Sequence, residues 1–318
     1  MTETADRPLV TFALFAYNQE QYIREAVEGA FAQTYEPLEI ILSDDCSTDR
    51  TFQIVSQMAE GYMGPHRVAV RRNGSNLGLA AHVNAVLENV NGEIVVLAAG
   101  DDISLPERTE ISVTCLQNNP RATAALMSGD VIDDAGKVIG ERLSWSEIGA
   151  EGIQTLEDLL QWRHVTFGAA RAFRRNVHSF FGPLNESCPT EDTPILLRSL
   201  ICGSNVLSSS KAIHYRRHSA NLSGAASLKR MNTEDIYRQY RDDIDKAITS
   251  NRISDSVACR LRDWVDKDSR LRKLRIKIQF DETLSLEDVL LVMKHPDLSL
   301  RAKTKIVLYR LIQLISRP

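Results

Sequence analysis

Apolar positions in the first hundred residues alternate between two spacings. Short runs rich in apolar residues at 10–16, 38–42, 67–71 and 93–98 predict buried strands. Between these runs, apolar residues recur three and four positions apart, which predicts helices that cover a sheet. The helical stripes are Ile23, Ala26, Val27, Ala30 and Phe31; Phe52, Val55 and Met58; and Leu79, Val83, Val86, Leu87 and Val90. Repeated strand–helix units of this length predict an α/β fold, with a mostly parallel sheet flanked by helices on both faces.

The pattern is less regular in the middle of the chain and helical near its end. Residues 124–127 and 131–139 are predicted strands, the second folded at Asp134-Ala135-Gly136. Residues 167–173 are a further predicted strand, and 193–201 a short helix. Beyond residue 225 the apolar spacing is almost wholly helical. We therefore predict an α/β domain over 1–225 and a helical extension over 226–318.

Composition narrows the class of protein. The chain has 318 residues and a net charge of −4, so nothing favours bulk electrostatic binding of nucleic acid. The sequence contains no run of about 18 apolar residues, so it predicts no membrane-spanning helix. The first ten residues lack the apolar core of a secretion signal. Five scattered cysteines show no metal-ligand spacing, which is typical of reduced thiols. We expect a cytoplasmic protein. The cysteines are Cys46, Cys115, Cys188, Cys202 and Cys259.

Paired acidic residues follow two of the predicted strands. Asp44 and Asp45 come after the second strand, and Asp101 and Asp102 come after the fourth. Ligands of parallel α/β sheets bind at the carboxyl ends of the strands, and adjacent carboxylates there repel unless a cation or hydrogen-bond donors satisfy them. Oxygen ligands of this kind suit Mg²⁺ or Mn²⁺ bridging a diphosphate. The alternative, that each pair only begins the next helix, fits one isolated pair better than two at neighbouring strands.

Two long segments resemble a known family. The run PLVTFALFAYNQEQYIREAVEGAFAQTYEPLEIILSDDCSTDRT is similar to the opening of family 2 of the inverting glycosyltransferases, whose members carry YN, QTY and a D-D-G-S-T-D turn. The run RRNGSNLGLAAHVNAVLENVNGEIVVLAAGDDISLPER is similar to the family's next block. The resemblance covers residues 8–225. It implies the GT-A fold and transfer of a sugar from a nucleotide-sugar donor to an acceptor hydroxyl.

The resemblance also implies a donor site with a metal. Asp101 corresponds to the second Asp of the family's DxD metal motif and Asp102 follows it, but Ala99 replaces the first Asp, which puts the strength of metal binding in question. Mn²⁺ or Mg²⁺ is the implied cofactor, with His218 of the segment HYRRHSANLSG as a further ligand and Arg216 and Arg217 near the diphosphate. A solvated basic loop is the alternative for this segment. The implied donor-binding residues are Tyr17, Asp44, Asp45, Arg72, Asn73, Asp101 and Asp102.

The segment PTEDTPI, residues 189–195, supplies the candidate base. Family members place an ED pair at the start of a helix below the acceptor, which implies Asp192 as general base and Glu191 as an orienting neighbour. The chemistry needs a carboxylate there, because an alcohol is a poor nucleophile until its proton is being removed. The alternative is an acidic helix start that only complements the helix dipole.

The helical extension carries two basic stretches, at 270–279 and 301–318. Basic amphipathic helices contact anionic membrane surfaces, or they pack on the catalytic domain or on a second subunit. We favour packing and leave peripheral contact with the inner membrane face, and a homo-oligomer, as alternatives.

Together these features predict a metal-dependent inverting glycosyltransferase. Its partners would be a nucleotide-sugar donor and a saccharide or lipid-linked saccharide acceptor of bacterial surface polysaccharide assembly. Two rivals remain. A nucleotidyltransferase begins with a glycine-rich basic loop, which FAYNQEQY lacks, and Ala99 leaves open a catalytically inactive nucleotide-sugar-binding scaffold.

Overall fold

The structure, a computed structural model, describes residues 7–142, 152–219, 221 and 231–280, with a few isolated positions between 290 and 308. The first half of the sheet contains the strands and helices that the apolar spacing predicts. Four strands pair in the order β3-β2-β1-β4, all parallel. The elements are β1 (Val10–Ala16), α1 (Ile23–Phe31), β2 (Leu38–Asp44), α2 (Thr51–Glu60), β3 (Arg67–Arg72), α3 (Leu79–Leu87) and β4 (Ile94–Ala99).

The second half of the sheet is mixed, where the sequence predicted mostly parallel pairing. The order continues β4-β9-β6-β10-β5, with β7 on β6 and β8 on β10; of these pairs only β6–β10 is parallel. The elements are β5 (Ile103–Ser104), α4 (Arg108–Asn118), β6 (Ala122–Ile132), β7 (Val138–Arg142), β8 (Gly152–Gln154), α5 (Leu156–Leu160), a 3₁₀ turn (Gly168–Ala170), β9 (Arg171–Arg174), α6 (Arg175–Phe181), α7 (Asp192–Cys202) and β10 (Ser204–Arg216).

Two predicted strands, 124–127 and 131–139, were divided at the wrong place. Residues 122–132 form the single strand β6, and the turn follows at 133–137, where the Asp133 N–H donates to the Lys137 carbonyl. The polar run Ser-Gly-Asp in the middle of β6 resembles a turn in the sequence. Gly129 is needed there because a Cβ would lie 2.7 Å from the carbonyl oxygen of Ile213 on the neighbouring strand. The strand predicted at 167–173 is likewise shorter, since its first half is the 3₁₀ turn.

Two apolar layers hold the sheet. One lies between the sheet and the helices α1, α2 and α4, and includes Phe12, Leu42 and Val96. The other lies on the opposite face, beneath α3, α6 and α7, and includes Val95 and Phe173. This two-sided burial explains why β1, β2 and β4 are nearly continuous apolar runs. Because helices cover both faces of the sheet, the ends of the strands are where the sheet is left uncovered.

The described part of the helical extension packs on α7. It consists of α8 (Glu234–Thr249) and α9 (Asp255–Phe280), and α8 buries Ile236, Tyr240 and Ile244 in the same layer as α7. The boundary at 225 and most of the basic stretch 301–318 lie outside the described residues, so both remain predictions. No helix in the described part of the chain is long and apolar enough to cross a membrane.

Candidate active site

The loops that follow β1 and β2 are joined at the carboxyl edge of the sheet. The side-chain oxygen of Asn18 accepts from the backbone N–H of Thr48 at 2.8 Å, and the Asn18 N–H donates to Ser47 Oγ at 2.9 Å. Tyr17 precedes this junction with its ring 43% exposed, so it lines the edge rather than the core. Cys46 has a φ of 61°. This left-handed conformation favours glycine, which agrees with the glycine that the family pattern carries at this position.

Asp44 lies beneath this junction and is fully buried. Its Oδ2 accepts the N–H of Ser47 at 2.9 Å and lies 3.3 Å from Arg72 Nε. Its Oδ1 has no hydrogen-bond partner in the described part of the chain. Arg72 also donates to the Ser47 carbonyl at 2.7 Å and lies over the ring of Phe52. Asp44 and Arg72 are therefore neighbours, as the donor-site prediction requires, and one carboxylate oxygen remains unsatisfied.

The carboxylate of Asp45 accepts its hydrogen bonds from the loop after β3. Its Oδ1 accepts from Asn73 Nδ2 at 2.6 Å and from the Leu77 N–H at 2.9 Å, and its Oδ2 accepts the Gly78 N–H at 3.0 Å. Three donors and 3% exposure leave this carboxylate little capacity for a ligand. Asn73 is in turn held by Arg71 at 2.7 Å. The structure thus brings Asp45 and Asn73 together, and their contacts shape the loop beside the donor site.

Asp101 faces the opposite side of the edge and meets the end of β10. Its Oδ2 lies 2.9 Å from Nε2 of His218 and 3.4 Å from Asn221 Nδ2. The imidazole packs against the ring of Tyr22, whose hydroxyl donates to Asp134 at 2.7 Å. The Asp101 and His218 side chains are 13% and 8% exposed, respectively. Residues 117 positions apart in sequence therefore meet at the surface, as the metal-site prediction requires.

Asp102 is turned inward, unlike its neighbour. Its Oδ1 accepts the backbone N–H of Arg216 at 2.8 Å, and the residue is 4% exposed. Burial, reinforced by the charge of Asp101, raises the pKa of Asp102 well above its usual range. A buried carboxyl that binds the backbone of β10 is poorly placed to bind a cation or donor. The geometry therefore argues against Asp102 in both of its predicted roles and gives it a structural one.

Arg216 is also unavailable for the diphosphate contact expected of it. The guanidinium is 1% exposed; it donates to the carbonyls of Asp101, Asp133 and Asp134 and to Glu25 Oε2 at 2.7 Å. These bonds fasten the β6–β7 turn to α1 and to the end of β4. Arg217 is exposed beside it. Sequence reasoning missed this fastening because a buried arginine and an exposed one look alike in the run HYRRH.

The residues at this edge provide part of a coordination sphere. Asp101 offers a carboxylate and His218 an imidazole, in contact and partly exposed. In the described part of the chain no cluster of three or more His, Cys, Asp or Glu side chains could hold a metal on its own. Divalent cations such as Mg²⁺ commonly bind through one or two protein carboxylates, with substrate phosphates and waters completing the sphere. The donor set therefore fits an ion held jointly with a nucleotide.

Glu191 and Asp192 begin α7, with Asp192 as its first helical residue. Asp192 Oδ1 accepts a short hydrogen bond from Thr190 Oγ1, and its carbonyl accepts from Arg171 Nη1. Burial, followed by the neighbouring charge of Asp192, raises the pKa of Glu191 to about 7. Both side chains are only half-buried. The site therefore presents two adjacent carboxyl groups, one of which takes up a proton near neutral pH.

The start of α7 lies at the same edge of the sheet as Asp101. β9 runs antiparallel to β4, so the 3₁₀ turn before β9 lies beside the carboxyl end of β4. Arg108 bridges the two segments by donating to the carbonyls of Leu97 and Ala169. Asp192 packs on Gly168 of that turn. The predicted base and the predicted metal ligand therefore share one edge, although they are 91 positions apart in the sequence.

Solved structures with this fold cover almost the whole chain. TarS of S. aureus, in complex with UDP-GlcNAc, superposes with a TM-score of 0.62 at 15% identity, over 96% of this chain and 90% of that one. A mannosyltransferase from Pyrobaculum calidifontis, in complex with GDP-Man and Mn²⁺, gives a TM-score of 0.57 at 17% identity, over 98% and 87%. Identities this low establish the fold alone. The predicted GT-A-like architecture is confirmed.

Sequence comparison establishes the family. EpsE of Bacillus subtilis is 34% identical over 136 residues, which are 43% of this chain and 48% of EpsE. The chain thus spans about half the length of this curated relative. The profile described as Glycosyl transferase family 2 matches residues 11–181, more than half of the sequence. With that match, the chain belongs to glycosyl transferase family 2.

Proposed function

We propose that this protein transfers a sugar from a nucleoside-diphosphate sugar to an acceptor hydroxyl, with inversion at the anomeric carbon. One observation carries the proposal: the Asp101–His218 pair and the Glu191–Asp192 helix start lie at one edge of a family 2 fold. Such an edge presents a cation-binding group and a base to a single ligand. Fold alone does not determine chemistry, so the proposal depends on these side chains.

The donor nucleotide would lie over the loops after β1, β2 and β3. Tyr17 offers an exposed ring, and Asp44 offers a buried oxygen without a partner among the described residues. Arg72 is held in place by Ser47 and Phe52 while its side chain stays 42% exposed. Asp45 and Asn73 support the loop instead of contacting the ligand directly. This division of roles follows from which polar atoms are already satisfied.

Asp101 and His218 would hold Mn²⁺ or Mg²⁺ together with the diphosphate. A bound divalent cation offsets the negative charge that develops on the leaving diphosphate. Asp101 is the second Asp of the family's metal motif. The motif's first Asp is absent here, because an alanine stands at position 99. His218 compensates for that missing carboxylate because it reaches Asp101 from β10's carboxyl end. The protein's own contribution is to keep these two side chains in contact at the surface.

Asp192 would accept the proton of the attacking hydroxyl. The acceptor oxygen forms a bond to the anomeric carbon as the bond from that carbon to the diphosphate oxygen breaks. The proton passes to the Asp192 carboxylate, and the nucleoside diphosphate leaves with the bonding electron pair. Glu191, beside it, would orient the acceptor. A single displacement of this kind inverts the anomeric centre. We further propose a saccharide or lipid-linked saccharide acceptor in bacterial surface polysaccharide assembly, at the cytoplasmic side of the membrane.

Metal dependence is the first test. We expect EDTA to abolish turnover of a nucleotide sugar and Mn²⁺ or Mg²⁺ to restore it. Asp101→Ala should weaken Mn²⁺-dependent binding of the nucleoside diphosphate by at least about tenfold, because even outer-sphere contacts of metal sites are worth about 10- to 100-fold in affinity. Isothermal titration with UDP and GDP, with and without Mn²⁺, measures this loss.

Asp102→Asn is the matched control for Asp101→Ala. It removes the neighbouring carboxylate, which binds the backbone N–H of Arg216, and keeps its shape. We expect Mn²⁺-dependent nucleotide binding within about twofold of the parent, since the geometry gives this carboxyl no metal contact. Full activity of the parent in EDTA, or equal losses in the two variants, would contradict the assignment of the metal to Asp101.

A further inference from the structure

A fully buried arginine lies beneath the start of α7. Arg171 has 0% exposure; its Nη1 donates to the carbonyl oxygen of Asp192, and its Nη2 donates to Thr166 Oγ1 at 2.7 Å. Its Nε has no partner in the described part of the chain. These acceptors are neutral. Burying a charge is costly unless a charge of opposite sign lies close by, so the position of Arg171 needs a compensating negative group.

The compensating groups are the two carboxyl groups above it. Burial lowers the pKa of the Arg171 guanidinium, and the charges of Asp192 and Glu191 raise it. The effect is reciprocal: the guanidinium lowers the pKa of Glu191, whereas burial and the Asp192 charge raise it. Arg171 therefore favours the ionised form of Glu191. A hydrogen bond to the helix backbone, in place of a direct ion pair, leaves the carboxylate oxygens free for other contacts.

The same short segment also holds Asp192 by steric contact. A Cβ on Gly168 would lie 2.6 Å from Cβ of Asp192, so the glycine lets the side chain rest directly on the 3₁₀ turn. Residues 168–171 thus touch Asp192 twice. Gly168 limits the side chain and Arg171 fixes the carbonyl, so little freedom remains at the first turn of α7.

We propose that Arg171 is a positioning residue for proton transfer at Asp192, which fixes the start of α7 through the Asp192 carbonyl and places a buried positive charge beneath the Glu191–Asp192 pair. The inference rests on the proposed function, because it takes Asp192 as the base. It adds a residue outside the ED motif, contributed by a strand and not by the helix that carries the motif. No pattern in GAARAFRR distinguishes this arginine from the other two arginines of the run.

The charges of the pair also act on two other titratable groups, Tyr240 and Cys188. Tyr240 on α8 is influenced by the Asp192 charge, and burial raises its pKa above the usual range. Cys188 is influenced by Glu191, and burial raises its pKa to about 11. Both groups are therefore neutral around pH 7. Arg171 is the cation in this set, so removing its charge should be visible in the pH profile of the reaction.

The test compares Arg171→Met with Arg171→Lys. The probe is the nucleotide sugar that the parent turns over fastest among UDP-N-acetylglucosamine, GDP-mannose and related UDP, GDP, dTDP and CMP sugars, with Mn²⁺. In the methionine variant we expect kcat to fall at least tenfold. We also expect the acid limb, the pH range in which kcat/KM falls as the pH is lowered, to move up by about one pH unit or more. The reason is that an opposite charge within ~4–6 Å lowers the pKa of a carboxyl group by about 1–3 units. Affinity for the nucleoside diphosphate should stay within twofold of the parent. Lysine should restore the acid limb, since it retains the charge.

Arg174→Met is the matched control. Arg174 lies on the same strand and donates to the carbonyls of Ala122 and Leu116, away from the carboxyl pair. Its loss should lower thermal stability without moving the acid limb. Gly168→Ala is an independent variant that keeps Arg171; it should lower kcat by displacing Asp192 while the acid limb stays in place.

Two results would overturn the inference: a parental acid limb in Arg171→Met, or equal limbs in the methionine and lysine variants. Should Arg171→Met fail to fold, Arg171→Lys still decides, because an acid limb that moves up by a pH unit although the charge is retained contradicts the proposal. If Asp192→Asn is inactive while the Arg171 variants behave as the parent, only this inference fails. If Asp192→Asn is active, the base assignment itself is wrong.

Discussion

Asp192→Asn should slow sugar transfer by about 10²- to 10⁴-fold, the usual value of a positioned general base. The amide keeps the shape of the side chain and its hydrogen bond from Thr190 but has no basic oxygen of comparable strength. Affinity for the nucleoside diphosphate and Mn²⁺ should stay close to that of the parent, since we propose Asp44, Arg72 and Asp101 for those contacts. Steady-state transfer rates, paired with titration calorimetry, separate the two effects.

Glu191→Gln is the comparison variant for Asp192→Asn. It removes the adjacent carboxyl, whose pKa is near 7, and should chiefly raise the KM for the acceptor while lowering kcat much less. If Asp192→Asn transfers sugar within a few-fold of the parent, the base has been misplaced. If it loses nucleotide binding as well, Asp192 contributes to the donor site instead.

The second large effect concerns the attachment of the helical extension. Asp243→Ala should lower the free energy of unfolding by about 3–5 kcal/mol, because it leaves a buried arginine charge without its partner. Arg198 on α7 and Asp243 on α8 are each 3% exposed, and two hydrogen bonds of 2.8 Å join them. Gln239 also donates to Asp243 at 2.9 Å. Urea denaturation followed by circular dichroism measures the change.

Two further variants interpret that result. Asp266→Ala breaks the exposed pair with Arg241, which joins α9 to α8, and should cost less than about 1 kcal/mol. Replacing both buried partners, Arg198→Met with Asp243→Leu, should recover most of the stability lost in the single variant. A small loss in Asp243→Ala would mean that α8 docks on α7 through its apolar face alone. A large loss in Asp266→Ala would contradict the exposure argument.

The first half of the fold follows from local spacing. The strands β1, β2 and β4 are buried on both faces and helices cover them, so the apolar pattern predicts the architecture directly, whereas β3 at the end of the sheet is largely exposed. The second half of the fold does not follow from local spacing, because its strands are specified by pairing with neighbouring strands that are distant in the sequence. β10 contains the polar run Ser-Ser-Ser-Lys across two register shifts, and residues of this kind give no strand signal by themselves. α4 was also missed, since its apolar face is short.

The candidate site was predictable in its members but not in their orientation. The sequence and the family resemblance brought forward Asp101, Asp102 and Asp192 together, yet neighbouring carboxylates in one motif have opposite environments. Asp101 reaches the surface, whereas Asp102 binds a backbone N–H of β10. The opposite orientations of these two adjacent side chains are decided by partners over a hundred positions away, His218 and Arg216. Buried cations such as Arg171 are invisible for the same reason.

The most direct test of the account is donor cleavage by the whole protein. Purified parent and Asp101→Ala should be incubated with UDP-, GDP-, dTDP- and CMP-sugars, with Mn²⁺ or with EDTA, and the released nucleotide quantified by chromatography. The account predicts Mn²⁺-dependent release of nucleoside diphosphate from at least one donor by the parent, and release reduced at least about tenfold in Asp101→Ala. Absence of release from every donor would contradict it and favour a nucleotide-sugar-binding scaffold.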